Sequence, residues 1–260
     1  MSAAPVRRVY SKNADFQRFV VLKTNRNKRH RHGAFLVEGV RNINGALRYG
    51  WAVQSLLYAG GRALSRWAQD MLAHTAAAVN YELDASLMDE LCTRDEPGEL
   101  LAIVRMAEND PARLRLGDCP LLALFDRPGN KGNLGTIIRS CDALGVGGLI
   151  VTGHGVDPYD PEVVAATMGS LFSLPVVYMP RHADIIALIE EMKHRYPGFQ
   201  AVGTSAHAEQ PISRLDLTRP VLFMIGSETD GLSPALSALC DAIAAVPMAA
   251  DAYASSLNVA

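Results

Sequence analysis

The chain has 260 residues, 49% hydrophobic and 20% charged, with a formal net charge of −2, enough for one large core or two modest ones. No apolar run approaches the roughly 18 residues of a membrane-spanning helix and the N-terminus lacks a charged-then-apolar leader, so a globular protein of the cytoplasm is expected. Four widely spaced cysteines (Cys92, Cys119, Cys141, Cys240) form no CxxC pair and the seven histidines fall in no ligand spacing, which argues against a zinc ribbon, a disulfide scaffold or a metal centre.

In chain order, the first feature is charge. The first 41 residues hold ten Lys/Arg against Asp15 and Glu38, a local charge of +8 that leaves −10 to the remainder. Such asymmetry is the footprint of a chain that docks one end on phosphate. Helical periodicity covers Asp15–Thr24, and the basic run KTNRNKRHRHG (Lys23–Gly33) follows, where Arg26, Lys28, Arg29 and Arg31 are the candidate phosphate-contacting residues. Charges in this pattern position phosphates rather than read bases; the plain alternative is a solvated face.

A strand at Ala34–Val37, a helix over Glu38–Tyr49, a strand at Val53–Tyr58 and a helix through Arg62–His74 follow, with a further strand, helix and strand in Val79–Val104. They predict a small alternating α/β domain over residues 1–106, whose basic arm is 1–33. Ala107–Pro120, polar and bounded by breakers, reads as a linker, and 121–260 as a second domain. In it, short apolar runs without alternation at Leu121–Phe125, Gly148–Thr152, Pro175–Tyr178, Phe199–Gly203, Val221–Ile225 and Ala242–Val246 fit strands buried on both faces of a mainly parallel sheet.

Three blocks in the second domain carry chemistry. In DRPGNKGNLGTIIRS (Asp126–Ser140) a strand ends, a Gly/Pro loop turns and a helix begins near Asn133. Six residues of helix amount to about 600° of rotation, so Asn133 and Arg139 cannot share a helix face, and Asn133 is expected at the helix mouth, capping the backbone or orienting a neighbour. Arg139 then reaches from the next turn towards phosphate or ribose, unless it is an ordinary solvated arginine. The loop lacks the order of a nucleotide P-loop, and no GxGxxG follows the first strand of this domain. LFMIGSETDGLS (Leu222–Ser233) leaves a buried strand with Gly226 and Gly231 framing Ser227 and Glu228, a turn at which a ligand can approach open backbone, although any βα turn looks similar. VPMAADAYASSLN (Val246–Asn258) ends a strand and passes through small residues to Ser256, Leu257 and Asn258, which serve either a ligand or a helix cap.

With FLVEGVRNINGALRYGW (Phe35–Trp51), these blocks resemble, in order and spacing, the signature motifs of the SPOUT superfamily, in its SpoU or TrmH branch of RNA ribose 2′-O-methyltransferases, most closely the avilamycin-resistance 23S rRNA methyltransferases. The resemblance implies an α/β SPOUT domain with a trefoil knot at its C-terminus, and a small N-terminal α/β RNA-binding domain of ribosomal-protein type. It implies methyl transfer from S-adenosylmethionine to a ribose 2′-hydroxyl of RNA, 23S rRNA before tRNA, by a homodimer, with a non-catalytic RNA-binding assembly factor as the alternative. It further implies catalytic roles for Arg139, Asn133, Glu228, Ser256 and Asn258, and a cofactor pocket lined by Gly203, Thr204, Gly226, Gly231, Val246, Met248 and Leu257. Two departures stand out: the Met248–Ser256 loop is about two residues longer than the family pattern and lacks its usual glycine, and the family continues from Ser-Leu-Asn-Val into a helix where this sequence has Ala260 last.

Overall fold

The computed structural model describes residues 4–93, 97–249, 251–253 and 257–260. The chain forms two compact units: Met1–Glu108 together with Asp157–Ser173, and Asn109–Val156 together with Leu174–Ala260. No helix among the described residues is long and apolar enough to cross a membrane.

The first unit opens with β1 (Val6–Val9), α1 (Ala14–Thr24) and α2 (Arg26–His32). Asparagines start both helices: the side chain of Asn13 accepts from the Phe16 N–H, and that of Asn25 from the Lys28 N–H. Helix α1 buries Phe16, Phe19 and Leu22 at helical spacing. After β2 (Ala34–Glu38), α3 (Val40–Arg48), β3 (Val53–Ala59), α4 (Arg66–His74), β4 (Asn80–Leu83), α5 (Ala85–Leu91) and β5 (Leu100–Arg105) complete a five-stranded sheet ordered β1-β4-β3-β5-β2. It is mixed: β1, β4 and β3 run parallel, and β5 is antiparallel to β3 and β2.

Two differences from the sequence reading lie here. The stretch expected as a basic arm is folded, because the asparagine caps turn it into two helices, and periodicity missed α2 because its inward residue is a charge. That residue, Arg29, is 1% exposed. It is therefore not a phosphate contact: its Nη1 donates to the carbonyls of Leu22 (2.8 Å) and Lys23 (3.2 Å), its Nε and Nη2 each lie 2.9 Å from Asp157, and Asp160 is 3.7 Å away. The second difference follows from this pair. Asp157–Ser173, which includes α7 (Pro161–Thr167) and α8 (Ser170–Ser173), packs with the N-terminal unit although the sequence reading grouped it with the C-terminal domain. Phe172 packs against Trp51 with ring centroids 5.2 Å apart, Tyr159 lies 4.8 Å from Phe35, and the Trp51 Nε1 donates to the Phe172 carbonyl at 2.9 Å.

The second unit contains β6 (Leu121–Asp126), α6 (Lys131–Ala143), β7 (Leu149–Thr152), β8 (Val176–Tyr178), α9 (His182–Arg195), β9 (Gln200–Thr204), β10 (Val221–Ile225), α10 (Pro234–Ser237) and β11 (Ala242–Ala244). All six strands pair in parallel, in the order β11-β9-β10-β6-β7-β8. The core packs Leu122, Leu124, Ile150, Leu222 and Met224 from the sheet against Ile185, Ile189 and Met192 of α9. From β6 the chain winds one way to β7 and β8; from β10 it leaves the other way to β11. The carboxyl ends of β6 and β10 therefore border a topological switch point, the crevice where ligands of open α/β sheets bind.

Asp157 generates a stability prediction. Burial pushes its carboxyl up, but the bond from His30 and the charge of Arg29 outweigh this and hold it below the ordinary carboxylate range. Asp157→Asn leaves the buried Arg29 without its main counter-charge and should cost about 3–5 kcal/mol at pH 7 in urea unfolding. Because the depressed carboxyl stabilises the fold only while ionised, the gap between wild type and variant should close as the pH falls below about 4.

Candidate active site

The crevice is built by two loops. At the end of β6, Asp126-Arg127-Pro128-Gly129-Asn130 leads into α6, whose cap is Asn130: its side chain accepts from the Asn133 N–H at 3.0 Å. Asn133 thus lies inside the first turn, not at the cap, and this frees its side chain for a neighbour. Its Nδ2 donates to Glu228 Oε1 at 3.0 Å. Glu228 comes from the other loop, after β10, and also accepts from the backbone N–H groups of Gly129 (2.9 Å) and Asn130 (3.2 Å). A carboxylate therefore sits on the N-terminus of α6, where free donors and the helix dipole favour negative charge. Burial pushes its pKa up, yet the bonds from Gly129, Asn133, its own N–H and Asn130 together bring it below the ordinary glutamate value.

The second loop is a closed turn. Ser227 and Gly231 exchange backbone bonds of 3.0 and 3.1 Å, and the Ser227 Oγ accepts from the Asp230 N–H. A Cβ on Gly226 would stand 2.0 Å from the Gly231 carbonyl carbon, so glycine is required there by the turn's own closure. Gly203 is likewise explained by packing, since a Cβ would meet the Cys240 sulfur at 2.7 Å and Leu232 at 2.9 Å. Thr204, the last residue of β9, donates its hydroxyl to the Met224 carbonyl at 3.3 Å.

Thus the structure brings Asn133 and Glu228 into contact, and sets Gly203, Thr204, Gly226 and Gly231 at or just past the carboxyl ends of β9 and β10. Val246 and Met248 follow β11 and are 53% and 39% exposed. Arg139 lies further along α6, exposed, about 120° around the helix from Asn133, and forms no ion pair or hydrogen bond of its side chain among the described residues. Leu257 is exposed, and the Asn258 side chain accepts from the Ala260 N–H at 3.2 Å, a local turn that joins it to no other candidate. Ser256 lies outside the described residues. Of the basic candidates in the first unit, Lys28 and Arg31 are exposed on α2 and Arg26 is half-buried and engaged with a neighbour, whereas Arg29 is interior. Among the described residues no three His, Cys, Asp or Glu side chains are placed to hold a metal ion.

Sequence reasoning passed over Asp126 and Arg127. Asp126, 1% exposed at the end of β6, accepts from the Ser233 N–H at 2.9 Å and from Arg127 Nε at 3.1 Å. Their signal was an acid–base pair directly after an apolar strand, a buried position that an acid occupies only when paired.

Residues 120–260 match the model of the SpoU rRNA Methylase family, and residues 13–102 that of the SpoU L30e-like domain. The chain is 45% identical over 98% of its length to a 23S rRNA (uridine(2479)-2′-O)-methyltransferase of Streptomyces viridochromogenes, of which it covers 88%. The crystal structure of the SpoU methyltransferase AviRb from that organism, in complex with the cofactor AdoMet, superposes with a TM-score of 0.89 at 44% identity, over 95% of this chain and 92% of that one. An AdoMet-bound rRNA methyltransferase from Sinorhizobium meliloti is similar at 28% identity with a TM-score of 0.80, over 98% and 93% of the two chains. With both parts of the chain matched and a relative of this identity along almost its whole length, the protein belongs to the SpoU rRNA methylase family.

Proposed function

We propose that this protein transfers the methyl group of S-adenosylmethionine to a ribose 2′-hydroxyl of 23S rRNA, working in the cytoplasm as a homodimer. The carrying observation is the Glu228–Asn133 lock across the β6/β10 crevice, in a chain whose relative at 45% identity is named a 23S rRNA 2′-O-methyltransferase. The residues present fit the cofactor. Val246 and Met248 offer exposed apolar surface past β11 for an adenine or methionine moiety, and the Ser233 Oγ is buried with no hydrogen-bond partner among the described residues. When bound, the cofactor supplies an electrophilic methyl on a sulfonium.

The chain must hold the 2′-oxygen in line with that methyl and assist loss of the hydroxyl proton. In this reading Glu228 and Asn133 orient the α6 N-terminus and the turn, while Gly203, Thr204, Gly226, Gly231, Val246, Met248 and Leu257 line the cofactor side. Ser256 and Asn258 belong to the ribose side. Arg139 pins the target phosphate or stabilises the developing alkoxide; a guanidinium is a cation with donors only and does not serve as a base. In this reading residues 1–106 form the RNA-binding part, and the methyltransferase domain expected over 121–260 is carried by the second unit, with Asp157–Ser173 packed in the first. The direct test is incubation with S-adenosylmethionine and ribosomal RNA followed by mapping of ribose methylation. One modified 23S position supports the reading, modification of tRNA alone would replace the substrate, and cofactor binding without transfer to either would point to a non-catalytic factor.

Three outcomes are expected. Arg139→Ala should slow methyl transfer more than tenfold, a barrier rise above about 1.4 kcal/mol, with S-adenosylmethionine affinity by calorimetry near wild type. Replacing Lys28 and Arg31 with Ala should weaken RNA binding and flatten its log–log salt dependence by about 0.7 to 0.9 per lost phosphate contact; an unchanged slope would make them a solvated face. Sedimentation at micromolar concentration should give a dimer, and a monomer with full activity would remove the pairing from the mechanism.

A further inference from the structure

The turn that carries Glu228 is tethered from a second side. Arg127, directly after β6, has φ +50°, a left-handed conformation that a non-glycine residue rarely adopts. The backbone there aims a planar guanidinium at three groups: Nε lies 3.1 Å from Asp126 Oδ2, Nη2 donates to the Gly231 carbonyl at 3.0 Å, and Nη1 lies 3.6 Å from the exposed Asp230 carboxylate. The same Asp126 oxygen accepts from the Ser233 N–H. Buried Asp126 and Arg127 together therefore hold both the carbonyl of Gly231 and the amide of Ser233, at the far end of the turn from Glu228. The arginine stem is fitted as closely, since a Cβ on Gly153 would approach its Cγ to 2.4 Å.

We propose that Arg127 is a positioning residue of the methyl-transfer site, bridging the Asp126 carboxylate to the Gly231 carbonyl so that the turn keeps Glu228 seated on the N-terminus of α6. This rests on the methyltransferase reading above. The turn's internal Ser227–Gly231 bonds do not come from Arg127, so its loss leaves the turn's shape and loosens its tether to the end of β6, of which the Asp126–Ser233 bond remains. Lysine cannot substitute, because one ammonium on a flexible stem does not span a carboxylate and a carbonyl as the planar fork does.

The experiment uses the full chain with Arg127→Lys, Glu228→Gln and the double variant, followed by hydrogen exchange, thermal melting and single-turnover methyl transfer. In Arg127→Lys the Gly129 and Asn130 amides, which donate to Glu228, should exchange at least about tenfold faster while the chain still melts cooperatively. Methyl transfer should fall about tenfold, and the double variant should be within about threefold of the slower single one, because both changes break one unit. Wild-type protection of those two amides in folded Arg127→Lys, or losses that multiply in the double variant, would overturn the assignment. Asp126→Asn weakens the same bridge from its other end and gives the same readouts should Arg127→Lys fail to fold. A wild-type chain that methylates no RNA would overturn the proposed function, and amide exchange would still decide the role of Arg127.

Discussion

The site depends on one carboxylate. Glu228 reaches from the end of β10 to the N-terminus of α6 and accepts from two backbone amides and one side-chain amide there. A helix begins with amides that have no partner within the helix, and an anion satisfies several of them at once while meeting the positive end of the dipole. Here the anion belongs to the neighbouring loop, so satisfying the helix also joins the two loops. The consequence extends down α6: Arg139 is carried by the same rigid element, and its direction is fixed by where the first turn is held. Replacing the glutamate by glutamine would set an NH2 group against amide donors, so its chemistry is as constrained as its length.

What makes the joint possible is sheet order. Because β10 lies beside β6 and their onward connections diverge, the two loops face each other with no helix between them. The apolar runs located every strand of this sheet to within a residue or two, since strands buried on both faces need continuous apolar sequence and helices between them do not. Their spatial order was not legible. Parallel neighbours are chosen by long-range packing, and nothing local in Leu121–Asp126 names Val221–Ile225 as its partner. The motif residues were legible as a set only through resemblance, because a βα turn with glycines has many uses. For Asn133 the sequence left capping and orienting a neighbour both open; Asn130 takes the cap and Asn133 holds Glu228, a choice that residue type does not make, since both asparagines are equally good caps.

Charge was legible as a sum and misleading as a map. Part of the +8 of the first 41 residues is met by acids that the fold delivers from elsewhere: Arg8 pairs with Glu82, Lys12 with Glu90 and Arg29 with Asp157, while Arg7 pairs with Asp15 within the segment. A basic run read in one dimension counts every residue as solvent-facing, but a helix turns part of it inward. In α2 the interior position fell to Arg29, whose burial is tolerable because two carbonyls and a carboxylate occupy its donors. The exposed remainder, Lys28 and Arg31, lies three residues apart and so shares one face of α2.

These electrostatics also bear on where the proton of the ribose hydroxyl goes. A general base works best with a pKa near the ambient pH, and the donors crowded on Glu228 move it the other way. Its lone pairs are already directed at Gly129, Asn130 and Asn133, and taking a proton would forfeit those bonds and loosen the joint between the loops. Arg139 is excluded as a base by its charge. In the reaction proposed above, both residues would therefore contribute as fixed elements, one as a strut and the other as a cation. The proton then leaves to water or to a phosphate oxygen of the RNA. The proposed reaction would then be accelerated by alignment and by a preorganised field rather than by a tuned acid–base pair, with the rigidity of the Glu228 joint as what the site contributes.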